Sequence, residues 1–215
     1  MLAVFRHLMA LLLAALCFSA IAAAKPPPID RSLGPPFTQR ARATLGPVDT
    51  RLVMIEVSDF RCEHCRLFHE RVFPRIKERY IDSGLIRYVV LPAVADGAVP
   101  APALFGMAKL ALERGRYWTA RRALFAHAYE SDPAVLARVA GLDPVEAAAY
   151  VASTETRAAV AADQAEATNL KVLGTPTFFL RQRLEDGNFA EARVDGYESW
   201  DYFESLIADL LRPER

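Results

Sequence analysis

Apolar and polar positions change rhythm several times along this chain, and each change marks an element. Leu52, Val53, Met54, Ile55 and Val57 form a short apolar run that reads as a buried strand over Arg51 to Val57, interrupted by Glu56. From Cys62 the period lengthens. Phe68, Val72, Ile76 and Tyr80 recur every fourth residue with Leu67 and Phe73 beside them, which predicts a helix with one apolar face. Pro74 is expected to kink or divide that helix, and Asp82-Ser83-Gly84 to stop it. Leu85 to Leu91 reads as a second strand. Pro100 to Leu173 is alanine-rich without a good strand candidate, and its breaks at Gly115, Ser131-Asp132-Pro133 and Gly141 to Pro144 predict four or five short helices. Asp132 and Asp143 each precede a proline suited to a helix's first position. Thr177 to Arg181 is a third strand, Asp186-Gly187 a turn, and Ala192 to Asp195 a short fourth strand. Ser199 can cap a last helix striped by Phe203, Leu206, Ile207, Leu210 and Leu211, with Pro213 after its end. Lys25 to Asp49, with six prolines, is expected to stay irregular. The order predicts an α/β fold, a mixed sheet flanked by helices, carrying a helical insertion at about residues 97–172.

The chain has 215 residues, 53% of them hydrophobic, enough for one domain of full size with an inserted subdomain. Its 26 basic and 26 acidic residues balance, so no basic field points to nucleic acid and no charged block to an interaction tail.

Residues 1–24 have the layout of a secretory signal: Arg6 and His7, then the uncharged apolar stretch Leu8 to Phe18, then Ala22-x-Ala24, which places cleavage before Lys25. The apolar stretch is short of the roughly 20 residues that span a bilayer, which disfavours an uncleaved membrane anchor. Of three cysteines, Cys17 lies inside the signal, so the mature chain keeps Cys62 and Cys65. An exported chain with one close pair has no disulfide framework, and Cys62-Glu63-His64-Cys65 reads as a working site rather than a staple.

Two cysteines separated by two residues at a strand-to-helix junction suit thiol–disulfide exchange. Cys62 stands where unpaired helix N–H groups favour a thiolate, and Cys65, one turn in, can resolve a mixed disulfide. His64 can stabilise the Cys62 thiolate, whereas the carboxylate of Glu63 beside it should raise that thiol's pKa. Glu56, if buried in its strand, should be a desolvated acid able to relay a proton to or from Cys65; on an edge strand it would face water. Pro176, in Gly174-Thr175-Pro176-Thr177, suggests either a sheet edge or a cis bond. The rival is a zinc site using Cys62, Cys65 and His69, with His127 as a fourth ligand. No second cysteine pair supports it, and both histidines are expected on helix surfaces. The aromatic residues Tyr117, Trp118, Phe125, Trp200 and Tyr202 read as packing.

Four stretches together give the chain, from about Thr44 to Leu211, a resemblance to the DsbA-like branch of the thioredoxin superfamily. They are Thr44-Leu45-Gly46-Pro47, Glu56-Val57-Ser58-Asp59-Phe60-x-Cys62-x-x-Cys65, Gly174-Thr175-Pro176-Thr177-Phe178-Phe179, and Gly196-Tyr197. The resemblance implies a thioredoxin fold over residues 44–215 after a proline-rich leader at 25–43. It implies a nucleophilic Cys62, a resolving Cys65, a cis Pro176 facing them and a Thr175 backbone that binds substrate peptide. It also implies that Glu56 is the buried carboxylate of the superfamily and that His64 is the histidine of the DsbA-type dipeptide. Glu63 stands where proline is usual, and Thr175 where the enterobacterial oxidase has valine; both departures bear on oxidising strength, and Glu63 is expected to make it less extreme.

The function expected is that of an exported, periplasmic thiol:disulfide oxidoreductase working mainly as an oxidase on reduced or unfolded exported proteins. It would need no cofactor, and a DsbB-like membrane quinone reductase would reoxidise it. With only about 20 leader residues after the cleavage site, there is no room for the added dimerisation domain of superfamily isomerases. A monomer is expected, and a reductase or isomerase is the second choice. A non-enzymatic chaperone and a metal-binding module are the rivals from other classes.

Overall fold

The computed structural model describes residues 37, 41–95, 101–185 and 187–212. The expected signal with Cys17, most of the proline-rich leader, Pro100, Asp186 and Pro213 lie outside the described residues.

At the centre is β2 (Leu52–Ser58), buried along its whole length because it is covered on both faces. It pairs in parallel with β3 (Ile86–Pro92) and antiparallel with β4 (Thr177–Arg183). The edges are β1 (Ala43–Leu45), antiparallel to β3, and β5 (Phe189–Asp195), antiparallel to β4. The order β1-β3-β2-β4-β5 makes one mixed sheet, as the sequence predicts. β1 is a correction: it falls in the stretch expected to be irregular. Gly46 ends it with a φ of 82°, and a Cβ there would collide with the Ile86 carbonyl oxygen, so only glycine lets the turn pack on β3.

Alternation along β2 sorts its side chains. Val53, Ile55 and Val57 face a smaller core with Val89, Leu91, Phe179 and Phe37. Leu52 and Met54 face the larger one, with Tyr88, Phe178 and Phe203. Glu56 has the parity of Leu52 and Met54, so the pleat turns it toward the larger core.

α1 (Glu63–Arg71) leaves the end of β2, and α2 (Phe73–Ile76) follows after a break at Val72, with Pro74 in its first turn. A π-helical turn, Lys77–Ile81, completes this arm. The predicted helical block is five helices: α3 (Pro102–Glu113), α4 (Tyr117–Ala126), α5 (Pro133–Val139), α6 (Pro144–Ala152) and α7 (Thr154–Asn169). Asp132 and Asp143 cap α5 and α6 as expected, accepting from Ala134 N and from Val145 N and Glu146 N. α8 (Trp200–Leu210) closes the chain, capped by Ser199. Among the described residues no helix is long and apolar enough to cross a membrane.

Candidate active site

The chain turns sharply between β2 and α1. Asp59 holds the turn, its carboxylate accepting from Arg61 N at 3.0 Å and its carbonyl from Cys62 N at 3.1 Å. Cys62 is the N-cap of α1: its backbone is extended and its sulfur accepts the Cys65 N–H at 3.4 Å. The Thr175–Pro176 peptide bond is cis, resolving the sequence alternatives, and the Thr175 carbonyl accepts from the Cys62 thiol at 3.1 Å. Gly196 N donates to the Pro176 carbonyl at 2.8 Å. The CxxC stretch, the Thr-Pro stretch and Gly196-Tyr197, distant in sequence, therefore meet around one sulfur.

The two cysteines, both free thiols here, sit in opposite environments. Cys62 is half-buried, and its thiol is lowered to about 6. The largest cause is the Cys65 S–H it receives. The Thr175 side chain and the backbone N–H groups of Cys65 and His64 add to this, against the opposing effect of burial. Cys65 is completely buried, and burial first, then its hydrogen bond to Cys62, then the charge of Glu56, push its thiol well up. One sulfur is poised as a thiolate and its partner is kept protonated.

Glu56 is neither on an edge strand nor a lone buried acid. It is fully buried on the central strand and holds a guanidinium: Arg121 Nη2 donates to both of its oxygens at 2.8 Å and to Ser58 Oγ at 3.1 Å. The Tyr88 hydroxyl donates to the same carboxylate. This occupied carboxylate acts on Cys65 through its charge. Sequence reading misses Arg121, because a charge in a helical stretch passes for a solvated one. The signal was there: Arg121 falls on the buried stripe Tyr117, Ala120, Leu124 and Phe125.

Other expectations shift. Glu63 is exposed and its carboxylate is taken by Arg66, which also binds Glu70 at 2.6 Å. It is not among the largest causes of the shift in the Cys62 thiol. The Thr175 side chain favours the Cys62 thiolate. His64 is exposed, its ring tilted 6.3 Å from that of Tyr197, and it acts on Cys62 through its backbone N–H. His69 is on α1 but half-buried rather than free in solvent. Its ring stacks on Phe73 at 5.1 Å and leans on Phe125 at 5.4 Å, and burial first, then Arg121 and Arg122, hold its pKa down to about 3. His127 lies exposed at the end of α4 with Nδ1 2.9 Å from the Ala123 carbonyl. Among the described residues no three His, Cys, Asp or Glu side chains gather as a metal site, so the rival zinc set does not assemble.

A cleft of about 380 Å³ opens beside Cys62, with Arg61, Arg66 and Glu70 on one side and Phe125 and Tyr129 on the other. Tyr129 is 80% exposed and donates to the Arg61 carbonyl at 3.0 Å; Leu173, just before the cis-proline loop, is 76% exposed.

Comparison with known proteins agrees with this geometry. A family model described as Thioredoxin matches residues 38–197. Wolbachia pipientis alpha-DsbA1, a solved structure, is similar with 26% identity and a TM-score of 0.67, over 79% of this chain and 90% of that one. A Rickettsia felis protein described as a protein-disulfide oxidoreductase is 24% identical over 68% of this chain and 55% of its own length. A Na(+)/H(+) antiporter of Salinispora tropica is 31% identical over 67% of this chain and only 22% of the antiporter. The chain thus spans about half or less of the length of these two relatives. With the match covering the sheet, the CxxC turn and the cis-proline loop, the chain belongs to the thioredoxin family, in its DsbA-like branch.

Proposed function

We propose that this chain is an exported thiol:disulfide oxidoreductase that works mainly as an oxidase of reduced or unfolded exported proteins. The observation that carries the reading is the division of labour between the two sulfurs: Cys62 accessible and lowered to about 6, Cys65 sealed and held protonated.

In the oxidised enzyme a substrate thiolate attacks Cys62 Sγ. The Cys62–Cys65 bond breaks, a substrate–Cys62 disulfide forms, and Cys65 leaves as a thiolate that takes up a proton. A second substrate thiolate then attacks the substrate sulfur of that mixed disulfide. A substrate disulfide forms, and Cys62 leaves as a thiolate held by its hydrogen bonds. Two electrons pass from the substrate dithiol to the enzyme. Each bond that steadies the Cys62 thiolate makes the enzyme a stronger oxidant. A value near 6, between an ordinary cysteine at about 8.5 and the most acidified ones at about 3.5, supports a moderate one.

Glu56 and Arg121 are assigned to positioning charge beneath Cys65, and Thr175 and Pro176 to the loop that meets the substrate backbone. His64 supplies a backbone N–H, and Glu63 a solvated helix-start charge. A DsbB-like quinone reductase is the proposed oxidant that restores the disulfide, and the periplasm the proposed compartment, reached by the signal at residues 1–24.

The test is oxidation of a reduced, unfolded two-cysteine protein by the disulfide form of the chain, followed by the loss of free thiols. Cys62→Ala should abolish it, and thiol trapping in cells should find Cys62 and Cys65 mostly oxidised. A mostly reduced pair would turn the reading to a reductase or isomerase. Full biological activity in Cys62→Ala would turn it to a chaperone.

A further inference from the structure

A cavity of about 610 Å³, larger than the cleft of about 380 Å³ beside Cys62, opens on another part of the surface. It lies between the α1–α2 arm and α4, with Leu45, Phe73 and Trp118 on its floor and Thr119, Lys77 and Arg122 at its mouth. We propose that this trough is a substrate subsite, taking one aromatic or large aliphatic side chain, beside an acidic residue, from an unfolded polypeptide whose cysteine is bonded to Cys62. The proposal rests on the thiol-exchange reading and adds where the rest of the substrate lies.

Continuity is the first argument. Glu70 lines both this trough and the cleft that contains Cys62, so the two adjoin along the α1–α4 seam. From Cys62 to Phe73 the helical arm advances about 16 Å, at about 1.5 Å per residue. An extended chain at about 3.3 Å per residue covers that in about five residues. A polypeptide tethered at Cys62 is therefore presented to the trough at high effective concentration, so a modest pocket suffices to select it.

Chemistry is the second. The floor is an aromatic slab: Trp118 lies nearly parallel to Phe73, 5.8 Å away at 9°, and His69 stacks on Phe73 as well. Burial and the nearby guanidinium groups keep the His69 ring neutral above about pH 3, so the floor carries no charge. Charges at the mouth are unequal. Glu70 is bound by Arg66, and Lys77 by Asp82 at 2.7 Å, whereas Arg122 is exposed with no ion pair among the described residues. An apolar slot beside one unpaired cation fits an apolar side chain with an acidic neighbour.

The test uses the full chain with Cys65→Ala, which stops the mixed disulfide from resolving. Single-cysteine peptides carrying Phe-Asp at four, five or six residues on either side of the cysteine are compared with Ala-Asp peptides, as equilibrium constants for mixed-disulfide formation against glutathione. Phe-Asp at the fitting spacing should bind about tenfold better. Thr119→Trp, at an exposed helix position on the mouth, should bring that ratio to near one, and Arg122→Glu should remove the preference for Phe-Asp over Phe-Lys. Equal constants at every spacing, or a ratio unchanged by Thr119→Trp, would overturn the subsite. If the Ala-Asp peptides form no mixed disulfide either, the thiol-exchange reading fails and takes the subsite with it.

Discussion

Arg121 and Glu56 are 65 residues apart, and the guanidinium of one grips both oxygens of the other at 2.8 Å in a fully buried pair. The arginine belongs to the helical insertion and the glutamate to the central strand, so the pair ties the insertion to the floor of the cysteine site. Taking two charges out of water is costly, and the pair persists because Tyr88 and Ser58 supply further hydrogen bonds. Its disruption should be far more costly than its replacement. Arg121→Met strands the carboxylate and is expected to destabilise the protein by about 3–5 kcal/mol. The double change Glu56→Gln with Arg121→Met should recover a large part of that loss. Urea unfolding of the two variants measures both.

Glu56 is also expected to act on Cys65. Glu56→Gln removes the carboxylate charge that helps to hold that thiol protonated, so the Cys65 pKa should fall. It should stay raised, because burial is the larger cause. Rates of Cys65 alkylation against pH in a Cys62→Ala background would show this, read together with the unsubstituted Glu56 control.

The Cys62 thiolate should titrate with a midpoint of about 6, followed by thiolate absorbance or alkylation rate. Cys65→Ala should raise that midpoint, since the Cys65 S–H is the largest stabilising contact. His64→Ala should leave it nearly in place, whereas His64→Pro, which removes the N–H at a position where the first helical turn tolerates proline, should raise it. Glu63→Gln should change it little, because Arg66 already holds that carboxylate.

The same shift fixes a pH dependence. The folded thiol lies well below its ordinary value, so its stabilisation of the dithiol form is fully present above about pH 9. It declines as pH falls and is lost below about 6. The disulfide form has no such contribution, so the stability of the reduced form relative to the oxidised form should fall toward acid pH in denaturant titrations. Between about 6 and the high Cys65 value, reduction takes up one proton per two electrons, and the potential should change by about 30 mV per pH unit. Below about 6 both thiols are protonated, and the slope should steepen to about 59 mV per unit. A slope unchanged across pH 6 would show that Cys62 is not acidified.

Gly46→Ala tests the turn that ends β1. Positive φ and the Ile86 carbonyl both oppose a side chain there, so a loss of about 1–3 kcal/mol is expected, with β1 amides exchanging faster.

What the sequence determined by itself was everything carried by local rules. The apolar run at Leu52 to Val57, the fourth-residue stripe after Cys62, the aspartate caps of α5 and α6 and the serine cap of α8 each depend on neighbours a few residues away, and each is where it was read. The resemblance supplied the pairing of Cys62 with Thr175-Pro176. Tertiary structure alone decided the rest. β1 is three residues long, too short for any period, and exists because β3 offers it an edge. Arg121 and Glu63 look alike in sequence, as charges on helices. One is buried because its helix turns that face toward Glu56, and the other is solvated beside Arg66. Likewise the sequence places two thiols in one motif, but which of them ionises depends on burial, on Thr175 and on the charge of Glu56, all brought in from distant strands and loops. Hydrogen bonds and desolvation act over a few ångströms in space, and that distance is not written in the order of residues.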